Sequence, residues 1–156
     1  GFGDRIAAEI GRSCVHAEYR NKRIVELLWR GLAHYYRDNK IERIFGCASF
    51  QGTDPEALAL PLSYLYHYHL APPELRARAL PDLYVPMNRI AKEDISARGA
   101  IKKVPALIRA YLRAGGVCGD GAVIDHQFGT TDVFMVLAME NVPDKYHDYY
   151  ERDSPG

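Results

Sequence analysis

The chain lacks most of the features by which enzymes and membrane proteins announce themselves. It has no net charge, since 20 Lys and Arg balance 20 Asp and Glu. Broad nucleic-acid binding needs a basic field, so that class is excluded as a primary function. No run of about 18 apolar residues exists, so no segment reads as a bilayer-spanning helix. The first residues, "GFGDRIAAEIGRS", carry no basic region followed by an apolar one, as a secretory signal would, and no Met. They read as a loop feeding a strand, and the expectation is an N-terminally truncated chain.

Cysteine is equally sparse. Cys14, Cys47 and Cys118 are odd in number and far apart, which leaves neither a disulfide framework nor a zinc knuckle. They read as small buried residues of a reducing compartment. Neither G-x-x-x-x-G-K-[ST] nor G-x-G-x-x-G occurs, so the nucleoside triphosphatase and Rossmann dinucleotide sites are excluded. G-x-S-x-G is missing too, which makes covalent catalysis a weak reading. His67 and His69 stand at i and i+2 on a helix-like stretch, where a metal pair prefers i and i+4. No metal site is expected.

What is present suits one α/β domain over 1–156. Apolar residues make up 47% and charged residues 26%, enough for a core and too little charge for disorder. Residues 6–16 suit a strand. Ile24, Leu27, Leu28, Leu32 and Tyr35 recur at helical spacing, predicting a helix over about 21–38. A second strand follows at 41–49, completing a βαβ unit with the two strands parallel. "TDPE" at 53–56 has the capping-box pattern and predicts a helix running to about His69. Residues 80–88 read as a strand or extended edge weakened by two prolines. Residues 104–116 read as a helix with Pro105 in its first turn and a glycine stop. "GAVIDHQF" and "TDVFMVLAM" read as a hairpin turning near Gly129.

The chemistry concentrates at the front. A strand, turn and helix offer unpaired backbone N–H groups to an anion, and Arg20, Lys22 and Arg23 add charge. A solvated basic turn explains the same residues. Glu9 lies on an otherwise apolar strand, so it is either paired with Arg12 or has a raised pKa suited to base chemistry. Asp125 and Asp132 flank "HQFGTT", where carboxylates usually shape a turn.

"EIGRSCVHAEYRNKRIVELLWRGL" resembles the donor-binding motif of the GNAT N-acyltransferase superfamily. "IFGCASFQGTDP", "RALPDLYVPMN", "PALIRAYLRAGG" and "GDGAVIDHQFGTTDVFMVLAMENV" resemble its hemolysin-like branch, and the likeness runs from about Glu9 to Tyr150. The resemblance implies an α/β (α+β) fold: a GNAT-like mixed sheet with flanking helices, lacking the N-terminal strands. It also implies lipid biosynthesis: transfer of a fatty acyl group from acyl carrier protein to the α-amine of ornithine. Acyl-phosphopantetheine is then a donor, with no tightly bound cofactor. The alternatives are an acyl-CoA-dependent or acyl-homoserine-lactone-synthase-like enzyme, and a non-catalytic carrier-protein-binding module.

The resemblance also assigns roles. The pantetheine lies where the strands carrying Glu9–Val15 and Phe45–Ser49 splay. Glu9 takes the ammonium proton and Arg12 orients it or a substrate carboxylate. Backbone N–H near Cys14 and Val15 stabilises the oxyanion, and Arg20, Lys22, Arg23 and Ser49 hold the donor. Apart from what the resemblance assigns, Asp125 is expected to recognise the cationic acceptor. The family's turn is Arg or Gln, two residues, Gly, one residue, Gly or Ala; here Arg23 and Val25 fill the two small positions. Glycines let backbone approach a pyrophosphate closely, so their loss favours a carrier protein's single phosphate over coenzyme A. A cytoplasmic location at the inner face of the membrane is expected from a lipid product.

Overall fold

The computed structural model describes residues 3–12, 14–19 and 22–143; for 22, 23, 25 and 26 it describes the backbone. Four strands form one mixed sheet in the order β1-β2-β4-β3, with β1 at Ala7–Glu9, β2 at Arg43–Gln51, β3 at Val117–Asp125 and β4 at Thr130–Ala138. β1 runs parallel to β2, whereas β4 is antiparallel to both β2 and β3. Four helices accompany the sheet: α1 at Lys22–Asp38, α2 at Ala59–His69, α3 at Ala97–Ala100 and α4 at Ala106–Arg113. This is the expected mixed sheet with flanking helices.

Period-two alternation divides the sheet into two unlike faces. Ile44, Ala48 and Phe50 of β2 and Val133, Met135 and Leu137 of β4 are buried, and α1, α2 and α4 cover them with Tyr36, Leu62, Leu65, Ile108 and Tyr111. On the other face Phe45 stacks on Phe134 with ring centroids 5.7 Å apart. There Ala71 and Leu75 cover only the end near Val136 and Ala138. Cys47, Ser49 and Gln51 of the same face remain exposed.

Several expected boundaries move, each for a local reason. The first strand is three residues long, not eleven. Arg12 has φ 52, a left-handed conformation that ends extended backbone, so Cys14 and Val15 lie on an irregular segment beyond the strand. The capping box at 53–56 does not form. Asp54 Oδ1 instead accepts the Glu56 N–H at 2.9 Å, and the Glu56 carboxylate pairs with Arg89, so α2 starts only at Ala59. Residues 80–88 make no strand. Pro81 and Pro86 cannot donate to a ladder, and a single bridge from Val85 to Ala122 remains. This segment is held by Ser63, buried in α2. Its Oγ donates to the Met87 carbonyl at 3.0 Å and accepts from the N–H groups of Arg89 and Ile90.

A charged clamp closes the sheet end at which β1 begins. The buried Arg43 guanidinium holds Glu140 through both nitrogens, and its second bond is 2.7 Å long. Arg5 reaches Glu42 at 3.1 Å and Glu140 at 4.0 Å. Arg43 therefore holds the Glu140 carboxyl below its usual range. Since the folded value is depressed, this stabilisation is present above the unfolded carboxylate pKa and fades as pH falls through the folded one.

Beyond the clamp, β1 and β2 touch closely at one rung. Ile10 donates its N–H to the Phe45 carbonyl at 2.7 Å. A Cβ at Gly46 would lie 2.3 Å from the Ile10 carbonyl oxygen, a backbone atom that no side-chain rotation can remove. Gly46→Ala is therefore expected to destabilise the protein by about 1–3 kcal/mol, the usual cost of overpacking a tight site. Urea unfolding of parent and variant measures it; equal midpoints would show that the contact yields freely.

Candidate active site

β1 and β2 part immediately after this rung. β2 continues through Gln51 with β4 on its far side, while the chain that was β1 turns away at Gly11 and Arg12. Phe45 directs its carbonyl to β1. Strand alternation then aims the backbone groups of Cys47, Ser49 and Gln51 at the same side, which β1 has left. The result is a strand edge with regularly spaced donors and acceptors at the mouth of a gap. An extended ligand carrying amides can pair with such an edge as an added strand would.

Glu9 ends β1 at the near side of this gap, exposed, and opposite Phe45 in register. The expected partnership with Arg12 is absent: among the described residues no ion pair joins Arg12 to Glu9. A second carboxylate on this sheet face is Asp132, opposite Ser49 on β4 and so across β2 from the gap. Its Oδ1 accepts the Thr130 hydroxyl at 3.0 Å. Although Cys47 is exposed at the surface, partial desolvation by its neighbours pushes its thiol above its ordinary pKa, and the charges of Asp132 and Glu9 push it further. A thiol so placed is held protonated, the reverse of an activated cysteine nucleophile. The arrangement suits proton transfer by a carboxylate and direct attack by a second substrate.

The other expected residues are dispersed. Ser49 is exposed on the open face of β2. Cys14 is exposed and Val15 half-buried on the segment that leaves β1. Arg20 lies outside the described residues. Lys22 and Arg23 open α1, and their side chains lie outside the described set. Asp125 stands at the end of β3, where its Oδ1 accepts the N–H groups of Gln127 at 2.8 Å and Phe128 at 3.0 Å and so shapes the hairpin turn. Asp132 was legible only as a second turn carboxylate; its strand register, invisible without the partner strands, puts it on the sheet face with Ser49 and Glu9. The two histidines of α2 have separate partners: His67 Nε2 meets the Ile90 carbonyl at 2.9 Å and His69 Nε2 the Tyr64 hydroxyl at 3.0 Å.

A family model described as an acetyltransferase (GNAT) domain matches residues 3–30, the stretch from β1 into α1. L-ornithine N(alpha)-acyltransferase of Brucella abortus is 50% identical over 142 residues, 91% of this chain and 50% of that protein. The protein of that name from Agrobacterium fabrum is 48% identical over 91% of the chain and 48% of its own length. That from Rhodobacter capsulatus is 44% identical over 97% and 58%. The chain is a homologue of these acyltransferases. It spans about half the length of the curated relatives it matches. No solved structure matches it. With 152 of the 156 residues matched, the Rhodobacter capsulatus likeness takes in Glu9, the strand gap and the β3–β4 hairpin.

The charge environment of Cys47 is testable in the isolated chain. In a Cys14→Ser background, Asp132→Asn removes one of the charges that raise the thiol's pKa. More thiolate is then present at a given pH, and alkylation of Cys47 by iodoacetamide should quicken about two- to fivefold at pH 8. An unchanged rate would separate Asp132 from the gap.

Proposed function

We propose that this chain carries the donor gap and the general base of an N-acyltransferase that moves a fatty acyl group from acyl carrier protein to the α-amine of ornithine. The observation that carries the reading is the parting of β1 from β2 after Ile10, with β2's edge left facing the gap. Support for the acceptor comes from the L-ornithine N(alpha)-acyltransferase homologues.

In this reading the phosphopantetheine arm lies along Cys47–Gln51, pairing its amides with that edge and placing its thioester near Glu9. The α-ammonium of ornithine loses a proton to Glu9, directly or through a water, because only the neutral amine attacks. Nitrogen bonds to the thioester carbonyl carbon, and the oxyanion accepts a backbone N–H from the segment that leaves β1, at Cys14. Collapse expels the pantetheine thiolate, which takes the proton that the nitrogen sheds, and leaves the neutral amide and the free thiol. Arg12, carried by the same turn, faces the acceptor carboxylate. Ornithine brings a second ammonium group, and Asp132 and Asp125 are the carboxylates for it. Asp132 is nearer the gap in strand register, while Asp125 is already engaged by two N–H groups.

The donor follows from the turn before α1. Arg23 and Val25 stand where glycines would admit a pyrophosphate, and Arg20, Lys22 and Arg23 make this stretch of the sequence cationic. One phosphate, and the acidic surface of a carrier protein, complement it better than coenzyme A does.

Expression of the complete reading frame in a bacterium that makes no ornithine lipid should yield lyso-ornithine lipid; no new amino lipid would overturn the reading. Turnover with acyl-CoA equal to that with acyl carrier protein would overturn the donor assignment. Glu9→Gln should lower turnover by about 10²–10⁴-fold, the usual worth of a positioned base, with donor binding retained. Undiminished turnover would remove Glu9 from the role.

A further inference from the structure

A second concavity lies on the helical side of the sheet, between α2, α4 and the turn at Ile101–Lys103. It is a cleft of about 290 Å³ lined by Tyr64, His69, Ile101, Arg109, Leu112 and Arg113. Two arginines therefore share a small cleft with the apolar side chains of Ile101 and Leu112. Tyr64 stacks on the exposed Tyr68 at 5.3 Å between ring centroids, and the Lys92 ammonium sits 5.2 Å above the Tyr68 ring.

The segments that line the cleft contain no acid. Residues 57–73 and 95–119 hold neither Asp nor Glu, and the second carries Arg98, Lys102, Lys103, Arg109 and Arg113. Among the described residues none of these five joins an ion pair; Arg109 Nη1 donates to the Val104 carbonyl at 3.0 Å, which fixes its stem and leaves its charge uncompensated. Arg98, Lys102, Lys103 and Arg113 are exposed. Glu93 and Asp94 are exposed beside Lys92, so the cationic surface is the one that runs from Arg98 to Arg113.

We propose that this face docks on an anionic bilayer, with a lipid phosphate seated between Arg109 and Arg113. The cleft has the volume of a small-ligand site, not of a groove for a protein helix. Its composition is also that of a membrane interface. Cations with long apolar stems reach phosphates, tyrosines sit at headgroup level, and Ile101 and Leu112 meet the first part of the acyl chain. Electrostatic attraction of several exposed cations to acidic lipid makes such docking strongly dependent on salt. The inference stands apart from the acyl-transfer reading, because it uses neither the strand gap nor any residue placed there.

The test is sedimentation of the purified chain with vesicles. Phosphatidylcholine alone is compared with a mixture containing roughly 30% phosphatidylglycerol, a cytoplasmic-leaflet-like negative surface. The expected result is binding to the mixed vesicles only, lost in about 0.5 M salt. Lys102→Glu with Arg113→Glu should weaken binding at least about tenfold. Arg37→Glu with Lys40→Glu, the same change of charge placed on the end of α1, should bind like the parent. Circular dichroism of both pairs confirms folding. Equal loss in the two pairs, binding to neutral vesicles, or no binding at all would overturn the proposal. So would a cleft pair that keeps vesicle binding and loses capture of acyl carrier protein, which would make the face a protein dock. The vesicle outcomes leave the acyl-transfer reading untouched, since that is read by lipid formation; only the carrier-protein arm touches its donor.

Discussion

The Ile10 carbonyl sits against the bare α-carbon of Gly46, and the candidate site depends on that contact. Among the described residues it is the last rung of the β1–β2 ladder. Up to it the parallel pair is ordinary sheet, closed at its start by the Arg43–Glu140 and Arg5–Glu42 pairs. Past it, Arg12 adopts φ 52 and the first chain leaves. A side chain at position 46 would push the strands apart too early and move the mouth of the gap away from Glu9. Two opposed requirements, close approach and then abrupt separation, thus meet within three residues, and a glycine and a left-handed turn satisfy them.

This is also why the front of the chain misleads a reader of sequence. "IAAEIGRSCVH" has the composition of a strand, and only its first part is one. Composition reports burial and β-propensity; it does not report where a partner strand stops. Elements whose signal is internal were legible: α1 from its helical spacing, and the β3–β4 hairpin from two β-rich runs around a glycine. What failed depends on long-range partners. Glu56 completes no capping box because Arg89, 33 residues away, takes its carboxylate. Residues 80–88 open on a turn at 81–83 and then, held at their far end by Ser63, bridge the sheet once.

The site divides along the same line. Glu9 was readable as a carboxylate in an apolar setting, either paired with Arg12 or tuned for base chemistry; of the two, the pairing gives way to an exposed group at a strand end with no ion pair to Arg12. Asp125 and Asp132 look alike in sequence, seven residues apart around a turn. Hairpin register separates them: Asp125 faces Thr130 at the turn and spends an oxygen on two N–H groups, whereas Asp132 faces Ser49 across the β2–β4 ladder. No periodicity within one strand could have shown which would share a face with Glu9.

Electrostatics then narrows the chemistry that the gap allows. Two carboxylates approach one thiol, and both raise its pKa. A site built for acyl-enzyme formation through Cys47 would place a cation or an imidazole there, since thiolate is the reactive form. Carboxylates do the opposite to an incoming ammonium group: they attract it, and one of them can take its proton. Attraction and deprotonation pull against each other, because a carboxylate that stabilises the cation also raises the amine's pKa. A diamine acceptor relieves that conflict. In the proposed reaction one carboxylate holds the ammonium that stays charged while the other removes a proton from the amine that reacts; Glu9 at the end of β1 and Asp132 on β4, beyond β2, lie on the same sheet face.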